Sequence, residues 1–163
     1  MSAKTTTRVF AAWRELYKLL SDAPFPSHPR LAQPPTIIWG DDTEPRDEAI
    51  YITGTAPDRS ASTWGTYGAP SLDETFTLRI IVGTKVSGTK REETYERLEE
   101  LVNVIETSLR DQTNGRPAGG FSATVPGVLH WRVANINPEI YPLPGNAGFG
   151  GYAEVDVAFT ARI

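Results

Sequence analysis

The sequence predicts an α+β fold: a two-layer sandwich with two helices packed on one face of a mainly antiparallel sheet of about five strands. Two observations lead there. Apolar residues recur at helical spacing in two segments, near residues 5–21 and 90–112. They alternate with their neighbours in two others, 74–83 and 152–163, as a half-buried strand requires. With the shorter apolar runs between them, the order reads α-β-β-β-α-β-β. Striped helices and a one-faced sheet bury their apolar sides against each other, which gives the layered arrangement.

In the first helix Val9, Trp13, Leu16 and Leu20 fall on one face. Thr5 to Thr7 offer an N-cap, and Pro24 and Pro26 stop the helix. Residues 22–35 are a proline-rich connector. Thr36–Trp39 and Ala49–Thr53 read as short strands joined by the acidic turn GDDTEPRDE. A polar loop, 54–72, precedes the strand at Glu74–Gly83, where Phe76, Leu78, Ile80 and Val82 share a face. The second helix, Lys90 to about Gln112, opens on a capping box of Thr89 and Glu92. Tyr95, Leu98, Leu101, Val102, Ile105 and Leu109 draw its apolar stripe, and Asn114-Gly115 supplies its stop. A glycine-rich loop leads to a strand at about 128–137, a second long loop spans 138–150, and Tyr152–Ile163 forms the last strand.

A length of 163 residues fits one domain. Sixteen basic and twenty acidic residues leave a net charge of −4, which argues against a clustered basic surface for nucleic acid. With no cysteine, disulfides, cysteine-based zinc sites and thiol catalysis are excluded. Two histidines, His28 and His130, are too few for most histidine-rich metal sites. No apolar run reaches the ~18–20 residues of a membrane span, and MSAKTTTRVF lacks a secretory apolar core. The expectation is a soluble protein of a reducing compartment, or one indifferent to redox.

Motifs for chemistry fail on spacing. GTKVSGTK at 83–90 lies between a strand and a helix, but Gly88 is followed by Thr89 before Lys90, the reverse of a phosphate-binding loop. The cluster Asp41, Asp42, Glu44, Asp47 and Glu48 does not match an EF-hand and reads as a solvated turn or a negative patch facing another molecule. No G-x-S-x-G elbow is present, so the serines lack a recognisable catalytic setting. The glycines at 119–120 and 145–151 do not spell a dinucleotide fingerprint. No catalytic, cofactor or metal residue is therefore assigned, and the reading is of a protein that is not an enzyme.

The loops at 54–72, 113–127 and 138–151 are long for a compact domain. They carry Arg59 and the aromatics Trp64, Tyr67, Phe121 and Phe149, which are candidate anchors for a subunit or partner surface. If the last strand lies at a sheet edge, it is open to pairing with a neighbour.

The element order, with ETFTLRIIVGTKVSGTKREETYERLEELVNVIETSL running from strand into charged helix and VLHWRVANINPEIYPL and GYAEVDVAFTARI closing the chain, resembles the lambda-type tail terminator proteins of long-tailed bacteriophages. The resemblance covers about residues 5–163 and rests on element order, because that family has no catalytic motif. It implies a hexameric ring at the head–tail junction of the virion, assembled in the host cytoplasm. Such a ring caps the tail tube, ends tube polymerisation and meets the head-side connector or stopper protein. DNA would pass through its lumen without specific binding; six copies together carry −24, and the acidic turn 41–48 is a candidate lumen lining. Other neck components, the tail-completion and head-closure proteins, share this order. A small cytoplasmic α+β binding domain or enzyme, with a glycine-rich loop as its pocket, is the more distant alternative.

Overall fold

The structure is a computed structural model, and it describes residues 7–39, 46–54, 58–61, 72–110 and 127–162. Along the chain run α1 (Val9–Asp22), β1 (Thr36–Ile38), β2 (Glu48–Gly54), β3 (Asp58–Ala61), β4 (Leu72–Thr84), α2 (Arg91–Arg110), β5 (Val128–Pro142), a short 3-10 turn (Pro144–Asn146) and β6 (Phe149–Arg162). The two-layer α+β sandwich is thus present. Its sheet has the order β1-β2-β4-β6-β5, antiparallel except for the parallel pair β1–β2.

Several details correct the sequence reading. The segment 54–72, expected as loop, contains β3, which pairs with residues 72–75 of β4 and continues the line of β2 along the same edge. The segment 138–150, also expected as loop, is mostly strand: β5 runs on to Pro142 and β6 begins at Phe149. Prolines are tolerated in a strand at a sheet edge, where an absent N–H disturbs no central ladder. The last strand is not an edge. It lies between β4 and β5, so β4, α2 and β5 form a β-α-β unit split by the insertion of β6. Among the described strands β5 is the long edge, with irregular pairing at Val128/His130 and Val133/Asn135.

Alternation decides which side of each strand is buried. Phe76, Leu78, Ile80 and Val82 of β4 lie beside Val155, Val157 and Phe159 of β6, all buried, and Phe76 stacks on Phe159 with ring centroids 5.0 Å apart. Leu16 and Leu20 of α1 and Leu98, Leu101 and Ile105 of α2 close the same core. Tyr95, expected in that stripe, is instead half exposed.

Glu74 and Thr7 tie α1 to the sheet. A Glu74 Oε1 atom accepts hydrogen bonds from the Arg8 N–H and the Thr7 hydroxyl, each at 2.8 Å, and Thr7 Oγ1 accepts from the Val9 N–H at 3.2 Å. A carboxylate at a helix N-terminus satisfies free donors and opposes the positive end of the helix dipole. The chain leaves α1 through an extended Ala23, the conformation that a following proline favours.

At α2 the expected capping box is absent. The Thr89 hydroxyl donates to the Val86 carbonyl at 2.6 Å, and the first turn closes from the Thr94 N–H to the Lys90 carbonyl. Asn114-Gly115 lies outside the described residues. No described helix is long and apolar enough to cross a membrane.

Candidate interaction surfaces

The helices cover one face of the sheet; the other displays Tyr51 and Ala49 of β2, Arg79, Ile81 and Gly83 of β4, and Tyr152, Glu154 and Asp156 of β6. Arg79 Nε donates to Asp156 at 2.8 Å, and its guanidinium lies 3.7 Å from Glu154. The hydrogen bond to Asp156, followed by that residue's charge, holds the Arg79 pKa above its ordinary value. Beside this network Tyr51, Tyr141, Tyr152 and Lys85 line a shallow cleft of about 320 Å³. The Tyr152 hydroxyl donates to Glu139, and that bond raises its pKa. Burial raises the pKa of Tyr141.

A second hollow, of about 220 Å³, runs between α2 and the β5 edge, with Tyr95, Val102, Ile136 and Pro138 among its lining residues. The two loops at one end of the sandwich, 85–90 and 143–148, are locked to each other. The Gly88 N–H donates to the Ala147 carbonyl at 2.7 Å, and the Phe149 N–H to the Thr89 carbonyl at 3.0 Å. Gly88, the residue a phosphate-binding loop would use to present its N–H, thus has that donor engaged.

The residues singled out from the sequence fare unequally. Trp64, Tyr67, Phe121, Asp41, Asp42 and Glu44 lie outside the described residues. Arg59 sits in β3, its backbone in register with Glu74 of β4. Phe149 is not on a long loop: it is the first residue of β6, half-buried, with its backbone bonded on both sides. Asp47 is exposed, and its carbonyl accepts from the Lys85 N–H.

Glu48 requires a correction. It is no part of a solvent-facing turn but the first residue of β2, and it is buried. Arg97 of α2 grips both its oxygens, Nη2 to Oε1 at 2.7 Å and Nε to Oε2 at 2.8 Å. The Thr84 hydroxyl donates to Oε2 at 2.9 Å, and Arg97 Nη2 also donates to the Pro26 carbonyl at 2.7 Å. Burial acts to lower the Arg97 pKa, but the hydrogen bonds and charges of Glu48 and Glu100 outweigh it, so the pKa is raised. One ion pair thereby joins α2, β2, β4 and the proline-rich connector. The clue in the sequence is spacing: Arg97 falls on the helical stripe of Leu101 and Ile105, and Glu48 alternates in phase with Ile50 and Ile52.

Among the described residues no cluster of three or more histidines, aspartates or glutamates is placed to hold a metal ion. Set against known protein families and against curated proteins, the chain matches none, and its function is read from its own residues.

Proposed function

We propose that this chain is a structural subunit of a bacteriophage neck, a tail terminator that assembles as a six-membered ring on the end of the tail tube. The resemblance in element order motivates the reading. The observation that carries it is the half-covered sandwich: both helices lie on one face, and the other face presents polar and aromatic side chains whose charges are largely paired among themselves. A ring subunit needs separate surfaces for its two neighbours and for the layers above and below it, and a cyclic arrangement needs a head-to-tail contact that closes. On this reading the ring ends tube growth, receives the head-side connector or stopper protein, and lets DNA pass through an acidic assembly without specific binding.

The test is negative-stain electron microscopy of the concentrated protein, alone and with purified tail tubes. Six-fold rings, free or seated on tube ends, are the expected result. A chain that forms no ring and ignores tubes overturns the reading, and twelve-fold rings or complexes with a portal reassign it to a head-side neck component. The tyrosine-lined cleft favours a second reading, a small-molecule binding domain. A concentration-dependent change in tyrosine fluorescence on screening planar anionic ligands would support that alternative.

A further inference from the structure

Exposed stripes of opposite charge run along parts of the two helices. On α2, Glu92, Glu96 and Glu99 are exposed at i, i+4 and i+7. None of the three has an ion-pair partner among the described residues. Like charges at this spacing repel, so the isolated helix is weakened by their arrangement. Beside them lies the hollow at the β5 edge, where Tyr95 and Ile136 leave 50% and 43% of their surface exposed. Arg91, at the N-terminal end of α2, is the one cation lining this surface among the described residues.

The opposite edge carries the complement. α1 packs near β1, at the other end of the sheet order from β5. Its outer face shows Phe10, Arg14 and Lys18 at i, i+4 and i+8, all exposed, with Phe10 at 69%, and the row ends on the exposed Asp22 at i+12. Arg14 and Lys18 likewise have no ion-pair partner among the described residues. At 1.5 Å per residue the α1 stripe is about 12 Å long and the acidic stripe about 10.5 Å. An aromatic residue flanked by cations on one edge thus matches an apolar hollow flanked by carboxylates on the other.

We infer that the α1 face of one copy docks into the α2–β5 hollow of the next, Phe10 against Tyr95 and Ile136, Arg14 and Lys18 against the three glutamates. Because the two surfaces are different patches of the same chain, the contact is head-to-tail and leaves a free surface of each kind at its ends. It rests on the ring reading above and names its subunit contact.

The experiment uses the wild-type chain, half of it labelled with ¹⁵N. A water-soluble carbodiimide joins a lysine amine to a carboxylate in direct contact, and mass spectrometry identifies links between labelled and unlabelled copies. Links from Lys18 to Glu92, Glu96 or Glu99 are expected. Two variants accompany it: Arg14→Glu with Lys18→Glu, and Glu92→Lys with Glu96→Lys and Glu99→Lys. All these side chains are exposed, and circular dichroism checks that both variants keep the fold. Each alone is expected to lose self-association by at least about tenfold, since like charges then meet across the contact. Mixed together they regain it, because every basic face again finds an acidic one. Failure to find the mixed-label links, or self-association undiminished in both variants, overturns the contact and leaves any observed ring standing. Links and rescue in particles that are not rings uphold the contact and overturn the ring.

Discussion

Arg97 and Glu48 show how much a single pair organises. Both side chains are almost fully buried, at 3% and 1% exposure, and each nitrogen of the guanidinium has an acceptor. Removing one member leaves the other charged in a dry site, so Glu48→Ala is expected to destabilise the protein by about 3–5 kcal/mol. Replacing both with apolar residues of similar size is expected to do far less harm. Urea unfolding midpoints of the two variants decide this. Tyr152 offers a milder case at the surface. Its pKa is raised by the bond to Glu139, so the folded state favours the protonated phenol. That contribution is complete below the pKa of an unfolded tyrosine and is lost as pH rises through the folded value. In an absorbance titration Tyr152 should ionise above ordinary tyrosine, and Glu139→Ala should bring it back down. Both pairs show the limit of reading a sequence by proximity. Glu48 adjoins Asp47 and Glu44 in the chain and so reads as one of a cluster, whereas its phase with Ile50 decides its side.

At the scale of elements, the two helices and the strands around 74–83 and 152–163 were legible because their periodicities run long enough to be unambiguous. The boundaries failed where composition opposed context. Pro138, Pro142 and Pro144 with the glycines after them read as loop, yet the pairing with β6 continues through Pro142 because no described strand lies on the outer side of β5. β3 is four polar and small residues without alternation, and only its partner β4 makes it a strand. Where loop 143–148 meets loop 85–90, Gly148 has φ of +112°, and a Cβ there would lie 2.9 Å from the backbone nitrogens of Gly88 and Thr89. Both the left-handed conformation and the space are denied to other residues. Gly148→Ala is therefore expected to cost about 1–3 kcal/mol, read from the thermal unfolding midpoint. Gly145, left-handed as well at φ +67° but with open space around it, isolates the clash: Gly145→Ala carries the strain alone and is expected to cost less.

The whole molecule is arranged around the strand that comes last in the chain. Strand order is a matter of contacts far apart in sequence, and no local pattern reveals that β6 lies between β4 and β5. The consequence is testable by truncation. Removing residues 149–163 takes from β4 and β5 the partner they share and strips five side chains from the core. Such a chain is expected to show no cooperative unfolding transition by tryptophan fluorescence and circular dichroism. A sharp transition retained in its absence would place the stability in α1, α2 and β1–β4. Of the acidic turn, Glu48 belongs to the buried framework while Asp47 stays exposed, and of the aromatic candidates Phe149 opens β6.

The shape of the β5 edge has a further consequence for life at high concentration. Two irregular pairings bend its ladder, and Pro138 and Pro142 remove donors from its far half. A strand blunted in this way is a poor template for a passing backbone, so neighbouring copies are not drawn into one continuous sheet. Copies that meet then do so through side chains, and charged contacts of that kind weaken as salt rises. An edge that stops the sheet in this way disfavours open-ended growth of a shared sheet.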